Sequence, residues 1–143
     1  MQKCFNYKFN LFNNYESPWE GTRACRKKDL KSIDFMRQKV KSKNLRYNFL
    51  RFDKEKNIQI FDNAGWHFNN ILSPNEISLK LKTFAHSEFA DEKFSSIDVI
   101  ERKKNEGVDL FDRGHKYQKI TIDEDFPKYL FENLNKYKKF IIE

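Results

Sequence analysis

Cysteine is scarce and long apolar runs are missing from this 143-residue chain. Its two cysteines, Cys4 and Cys25, show no CxxC or other metal-ligand spacing, which argues against a disulfide-rich secreted scaffold and predicts reduced thiols. No run approaches the ~20 apolar residues that a membrane-spanning helix needs, and the first residues lack the apolar segment of a signal peptide. We therefore expect a soluble, cytoplasmic protein, with peripheral association with a membrane left open.

The chain is basic, with 28 Lys and Arg residues against 21 Asp and Glu and a formal net charge of +7. This balance favours anionic partners such as nucleic acid, sugar nucleotides or acidic membranes. Heavy use of Lys, Asn, Ile and Phe is also typical of an AT-rich coding sequence, so we attribute most of the charge to a solvated, lysine-rich surface. Basic residues interleaved with aromatics occur at Arg23, Arg26, Lys27, Lys28, Lys31, Arg37, Lys39, Lys41, Lys43 and Arg46. Because no RNP, KH, zinc-finger or helix-turn-helix signature accompanies them, a nucleic-acid-binding or non-catalytic interaction module is only the alternative hypothesis.

Hydrophobic periodicity predicts a single domain, residues 1–143, of mixed α/β (α+β) class, with a short mixed sheet and flanking helices. Alternation predicts strands over residues 5–11, 22–25, 45–50, 57–61 and 117–122. Helical spacing predicts helices over residues 28–41, from Pro74 onward, from Ser95 or Ser96 to Lys104 with a stop at Gly107, and from Pro127 to about Tyr137. The helix from Pro74 has the strongest signal, because Ser73 and Glu76 form a capping-box pattern around it.

The residues best suited to chemistry fall in two segments, Gly65-Trp66-His67-Phe68 and Phe84-Ala85-His86-Ser87-Glu88-Phe89. Histidine and carboxylate side chains bind metal ions and transfer protons near neutral pH. If the helix continues, Glu88 shares its apolar face, which costs free energy unless the carboxylate is paired, metal-bound or in a cleft. A frayed helix end with solvated His86 and Glu88 is the alternative. His67 is either a site residue at the end of a strand or a packed histidine.

Two other groups of polar residues have a structural interpretation. Asp123 and Asp125 follow a predicted strand, where aspartates two residues apart can hold a divalent ion against a diphosphate. A helix is predicted to begin at Pro127 directly after them, so we favour helix capping and a favourable interaction with the helix N-terminus. His115 is interpreted as a surface-loop residue.

With these motifs the chain resembles glycosyltransferase family 17, the family of β-1,4-mannosyl-glycoprotein 4-β-N-acetylglucosaminyltransferase and its bacterial relatives. The similarity is carried by residues 63–68 (Asn-Ala-Gly-Trp-His-Phe) and 80–89 (Lys-Leu-Lys-Thr-Phe-Ala-His-Ser-Glu-Phe). Weaker matches occur at residues 7–10, 19–22 and 107–111 together with Arg113. The matching segments span nearly the whole chain in the order expected for the family.

The resemblance implies the C-terminal portion of a GT-A-like fold that transfers N-acetylglucosamine, or another hexose, from a nucleotide sugar to a glycan acceptor with inversion. It implies UDP-N-acetylglucosamine as the donor and a divalent cation, Mn or Mg. Family members carry, upstream of the matching region, an aspartate-x-aspartate segment for the metal and the diphosphate, and this sequence has no equivalent there. We therefore expect a truncated form, with the donor-binding half lost or present on a separate chain.

The same resemblance implies a role for each candidate residue. Glu88 is the expected base that takes the proton of the acceptor hydroxyl, and His86 is the second catalytic candidate. The metal ligand is expected to be His67 or His86, with carboxylates from the absent half. The expected substrate-binding residues, with the tryptophan stacking on a sugar face and the two cations meeting phosphate, are Trp66, His67, Arg113 and Lys116.

Truncation would leave the first predicted strand, residues 5–11, without the neighbours that it has in full-length relatives. Its alternate residues are large and apolar on one face and polar on the other. We therefore expect exposed aromatic surface around this strand, or its pairing with another chain.

Overall fold

Short helices and strands are mixed along the chain in the computed structural model, which describes residues 1–37, 58–83 and 90–143. The strands are β1 (Lys3–Asn6), β2 (Leu11–Phe12), β3 (Trp66–Asn69) and β4 (Gln118–Lys119). The α-helices are α1 (Ile33–Arg37), α2 (Pro74–Thr83), α3 (Glu92–Ser95), α4 (Ile97–Glu106) and α5 (Lys128–Glu132), with 3-10 helices at Lys27–Asp29 and Leu134–Phe140. Within these ranges, no helix is long and apolar enough to cross a membrane.

The four strands form one small mixed sheet in the order β3-β1-β2-β4. Strand β1 is parallel to β3 and antiparallel to β2, and β2 pairs antiparallel with β4. The predicted class, a mixed α/β domain with a short mixed sheet and flanking helices, is therefore confirmed.

A hydrophobic cluster lies on each face of the sheet. Neighbouring strand residues point to opposite faces, and accordingly Leu11 packs in one cluster and Phe12 against the other. Helices α2 and α4 contribute the fully buried Ile77 and Ile100 to the first cluster. The second cluster is centred on Phe5. Strands β1 and β2 are therefore covered on both faces.

The predicted strand over residues 5–11 is wrong, because the chain turns back on itself there. Tyr7 has a φ of 65°, in the left-handed region, and the Lys8 N–H donates to the Asn6 carbonyl over 2.7 Å. The polar residues are buried as well: Asn10 is 3% exposed and exchanges two 2.8 Å hydrogen bonds with the backbone of Ile142. Alternation suggested extended chain because it cannot show that a polar side chain bonds to a distant part of the protein.

For the residues of this segment, the expected exposed aromatic surface, or pairing with another chain, is also wrong. Strand β1 has neighbours on both sides within the chain. Phe5 is fully buried, with ring centroids 5.3 Å from those of Phe68 and Phe126 and 5.6 Å from that of Phe12. The strand is therefore covered without a partner chain, which counts against the expectation that it lacks neighbours.

The helix ends that the sequence marks most clearly are confirmed. The Ser73 N–H donates to Glu76 Oε2 over 2.8 Å, and the Glu76 N–H donates to Ser73 Oγ over 3.3 Å, so the predicted capping box closes the start of α2. Helix α4 begins after Ser96, although the Ser96 side chain makes no capping bond. It ends at Gly107, which has a φ of 66°, a conformation that glycine adopts without strain.

Other predicted elements are shorter than expected or are not formed. Residues 22–25 and 58–61 are not strands; they are largely exposed, and no neighbouring strand pairs with them in the described parts of the chain. The strand over residues 117–122 is reduced to β4, and the last helix divides into α5 and a 3-10 helix. The predicted helix over residues 28–41 is interrupted, because residues 28–29 belong to a 3-10 helix and the α-helix α1 begins only at Ile33; residues 38–41 lie outside the described residues. The predicted strand over residues 45–50 lies outside the described residues.

Helix capping by Asp123 and Asp125 is wrong. The residue that precedes α5 is Pro127, and among the described residues neither aspartate side chain bonds to a backbone N–H group of the helix. Asp123 instead accepts a 3.0 Å hydrogen bond from the Asp125 N–H and closes a turn before the helix. Both aspartates are exposed.

Candidate functional site

Two segments that carry the resemblance, around Trp19 and His67, meet beside the edge strand β3. The turn formed by residues 13–19 returns along the start of β1, and Trp19 exchanges two 2.9 Å backbone hydrogen bonds with Gln2. The centroid of the Trp19 ring consequently lies 3.9 Å from that of His67, with 35° between the ring planes. The six-membered ring of Trp19 occupies the space that a Cβ atom on Gly21 would need. Glycine at this position therefore allows the tryptophan to lie against its own backbone.

A set of polar side chains surrounds His67 on its face of the sheet. His67 and Asn69 are two residues apart on β3 and share that face. Lys80 of α2 reaches it, since its Nζ donates to Asn69 Oδ1 at 3.2 Å and to Asn70 Oδ1 at 2.8 Å. Burial lowers the pKa of both His67 and Lys80, although Glu16 opposes the effect on the histidine. The lowered pKa favours the neutral imidazole, which can donate one hydrogen bond and accept another.

Asn6 adds an unsatisfied acceptor to this region. It is paired with Asn69 across the two parallel strands and is only 4% exposed. Its Oδ1 atom has no hydrogen-bond donor among the described residues, and an unpaired buried acceptor costs about 1–3 kcal/mol. We call Asn6, His67, Asn69 and Lys80 the polar face. Asn6 is buried, whereas His67 and Lys80 are only partly buried and are the imidazole and ammonium groups that a ligand could reach.

A second polar cluster surrounds Asp109, which is 3% exposed. Its carboxylate accepts hydrogen bonds from Arg113 Nε at 3.0 Å, Arg113 Nη2 at 2.5 Å and the Tyr117 hydroxyl at 3.1 Å. The backbone N–H groups of Phe111 and Arg113 donate to it as well. Burial by itself would raise the pKa of Asp109, but these donors hold it at about 2. Asp109 is therefore a fixed anion that positions Arg113.

Arg113 connects this cluster to the turn of residues 13–19. Its Nη1 atom lies 3.1 Å from Glu16 Oε1, and hydrogen bonds from Arg113 to Asp109, together with the charges of Asp109 and Glu16, raise the pKa of the guanidinium. Two carboxylates, Asp109 and Glu16, pair with one guanidinium, so this group of three charges has a net charge of −1 and does not favour an anion. Its expected contact with phosphate stays a prediction.

Trp66 and Lys116 lie away from the polar face. Trp66 is the neighbour of His67 on β3 and points to the opposite face, where it packs, partly buried, against the cluster centred on Phe5. Lys116 is exposed and forms a backbone bridge with Val108. The structure therefore does not bring these two together with His67, and their substrate-binding roles stay predictions.

The two predicted catalytic residues, Glu88 and His86, lie outside the described residues, and their roles stay predictions. In the described ranges, no group of three or more His, Cys, Asp or Glu side chains is arranged to hold a metal ion. His67 by itself does not make a Mn or Mg site, and the expected divalent cation stays a prediction.

Sequence reasoning passed over two residues that the fold brings to this region, Tyr15 and Glu16. Tyr15 stacks on His115, with ring centroids 4.2 Å apart and 7° between the planes. His115 is a loop residue as predicted, but it is half-buried and its Nδ1 atom has no partner in the described part of the chain. The sequence feature that could have indicated this turn is the pair of aromatic residues, Tyr15 and Trp19, just before Gly21.

The chain matches no family model, no curated protein and no solved structure. Its function is therefore inferred from the residue motifs and the geometry above.

Proposed function

We propose that this chain forms the acceptor side of a glycosyltransferase that moves N-acetylglucosamine, or another hexose, from a nucleotide sugar to a glycan. The observation that carries the proposal is that segments resembling family 17, far apart in sequence, contact one another. The Trp19 ring lies 3.9 Å from His67, and the Tyr7 hydroxyl donates to the Val108 carbonyl over 3.0 Å. The matching segments therefore pack against one another in the fold, and this supports the resemblance.

The proposed reaction is an in-line displacement with inversion. A base removes the proton from the acceptor hydroxyl, whose oxygen attacks C1 of the donor sugar while the nucleoside diphosphate leaves. Glu88 is the proposed base, with His86 as the second catalytic candidate, and UDP-N-acetylglucosamine is the proposed donor. A divalent cation, Mn or Mg, held by carboxylates of the donor-binding half, would supply charge compensation for the leaving diphosphate. A separate chain would carry the donor-binding half, and Lys80 of this chain would also meet the bound donor.

Donor binding tests this proposal. We expect isothermal titration of the 143-residue chain with UDP-N-acetylglucosamine to show weak binding, because the rest of the donor and metal site would lie on a separate chain. Lys80 is the cation of the polar face, so Lys80→Gln is expected to weaken donor binding about tenfold, as loss of a charged hydrogen-bond donor does.

Lys136→Gln is the matched control, because Lys136 is an exposed lysine on the C-terminal 3-10 helix and its loss is expected to leave donor binding unchanged. If neither UDP-N-acetylglucosamine alone nor its mixture with manganese binds, the transferase proposal fails and a non-catalytic interaction module replaces it.

An exposed basic segment supports a second candidate function, the binding of nucleic acid. Every residue from 24 to 34 is exposed, and this stretch includes Arg26, Lys27 and Lys28. Contacts between such residues and phosphates release counterions. However, the large exposed side chains of the segment, Leu30 at 44% and Ile33 at 68%, are aliphatic. They do not offer the flat aromatic surface on which bases stack, so this candidate comes second.

Salt dependence distinguishes the two candidates. Fluorescence anisotropy with a labelled single-stranded oligonucleotide is expected to show no binding at about 50 mM salt if the charge is only a solvated surface. Binding that falls steeply with added salt, and that is lost when Arg26, Lys27 and Lys28 are all replaced by glutamine, would establish the second candidate instead.

A further inference from the structure

The turn of residues 13–19 presents two aromatic side chains to solvent and carries one partner of an ion pair. Tyr15 is 52% exposed and Trp19 is 37% exposed, and Glu16 pairs with Arg113 at 3.1 Å. We propose that Tyr15, Glu16, Trp19 and Arg113 form a subsite for a neutral pyranose glycan. That this glycan is the acceptor of the transfer reaction rests on the function proposed above; that it binds here does not. We call these four residues the glycan subsite.

Both aromatic rings of the glycan subsite are held by a histidine ring. Tyr15 stacks in parallel on His115, at 4.2 Å between centroids, and Trp19 lies against His67 at 3.9 Å. The absence of a side chain on Gly21 gives the Trp19 ring its place. Rings that are fixed before a ligand arrives lose little conformational entropy on binding, which favours affinity.

The backbone of the turn is anchored to the central strand β1. Asn13 is fully buried, and its Oδ1 atom accepts hydrogen bonds of 3.1 Å from the N–H groups of Tyr15 and Glu16. Ser17 Oγ donates to the Asn13 carbonyl at 2.7 Å and accepts from the Cys4 N–H at 2.8 Å. The two aromatic residues therefore project from a turn whose position the sheet determines.

The chemistry of the subsite selects a neutral, hydroxyl-rich ligand. The C–H groups on the face of a pyranose ring pack against aromatic faces, while its hydroxyls bond to carboxylate and guanidinium groups. The side chains of Glu16 and Arg113 are 32% and 44% exposed, so both can still reach a ligand. Because the same guanidinium also pairs with Asp109, the charges of Glu16, Asp109 and Arg113 sum to −1, and the subsite does not attract an anion. A neutral glycan fits this combination better than a phosphate-bearing polymer does.

Nuclear magnetic resonance tests the proposal on the natural chain, because its two tryptophans give two separate indole N–H signals. We expect titration with chitotriose, a neutral β-linked trisaccharide of N-acetylglucosamine, to shift the Trp19 signal with a dissociation constant on the order of 1 mM. The Trp66 signal is expected to stay in place. Tyr15→Ala is expected to weaken binding about tenfold, and Gly21→Ala is expected to do the same by displacing the Trp19 ring. The matched control is Tyr129→Ala, since Tyr129 is 58% exposed and lies on α5.

Either of two results overturns the glycan subsite: a Trp19 signal that chitotriose leaves unmoved, or Tyr15→Ala and Gly21→Ala variants that bind as the natural chain does. The same spectra report whether each variant is folded. Glycan binding without any binding of UDP-N-acetylglucosamine would support the subsite and contradict the transferase. Donor binding without a glycan-induced shift of Trp19 would support the transferase and contradict the subsite.

Discussion

Replacing Phe5 with alanine is expected to lower the free energy of unfolding by about 3–5 kcal/mol. Phe5 is fully buried in the centre of the aromatic cluster, in contact with Phe68 and Phe126. Its removal leaves a cavity that the surrounding rings cannot fill, because the paired strands hold them in place. Since a single domain has a total stability of about 5–15 kcal/mol, this loss is a large fraction of it. Urea denaturation followed by circular dichroism measures the change.

Phe131→Ala is the control for this experiment. Phe131 is 38% exposed on α5, so its truncation is expected to cost less than about 1 kcal/mol. If Phe5→Ala cost no more than Phe131→Ala, the N-terminal strand would not be covered within the chain. The expectation of an uncovered aromatic surface, which the fold contradicts, would then have to be restored.

The second large effect is expected in acid, and it depends on Asp109. Hydrogen bonds from Arg113 and neighbouring backbone N–H groups, acting against burial, hold the pKa of Asp109 at about 2 in the fold, against a usual value of 3.8. A depressed carboxyl pKa stabilises the folded state fully above the usual pKa, and the contribution is lost as the pH falls through the folded value. We therefore expect Asp109 to account for a loss of about 2 kcal/mol of unfolding free energy between about pH 4 and pH 2.

Asp109→Asn isolates this contribution. At pH 7 it is expected to lower the unfolding free energy by about 2–3 kcal/mol, because the buried Tyr117 hydroxyl and the Arg113 guanidinium lose acceptors. The variant is also expected to lack the part of the acid dependence that Asp109 supplies. Urea titrations at a series of pH values measure both effects, and Glu124→Gln, which changes an exposed carboxyl, is the control. If the unfolding free energy fell by the same amount in acid for Asp109→Asn and for the natural chain, the fall would be due to other carboxylates.

The features that sequence patterns predicted correctly depend on neighbours within a few residues. The Ser73 and Glu76 pair closes the start of α2 by hydrogen bonds three residues apart, and Gly107 ends α4 in a conformation that its own lack of a side chain permits. The mixed class followed from the same local periodicities. Strand lengths did not, because residues 22–25 and 58–61 have strand-like composition but no neighbouring strand to pair with in the described ranges.

The candidate site shows the same difference between features that local patterns predict and features that depend on distant contacts. Motifs marked His67 and Arg113, but they did not indicate which other side chains would accompany them. Trp66, the neighbour of His67, points to the other face of the sheet. The ring that lies on the histidine belongs to Trp19, 48 positions before His67 in the chain. Identity and spacing can select a residue type, whereas the choice between the faces of a strand depends on register with its neighbours.

Local sequence thus decides where α2 begins and where α4 ends, since backbone groups at helix ends bond within one turn. Only the folded chain decides that Phe5 is a buried centre and that the Tyr7 hydroxyl bonds to Val108, 101 residues away. The same holds for the turn of residues 13–19, whose Trp19 and Glu16 meet His67 and Arg113. Contacts of this kind form through strand pairing and the packing of distant segments, and these are cooperative properties of the whole domain that no short stretch of sequence contains.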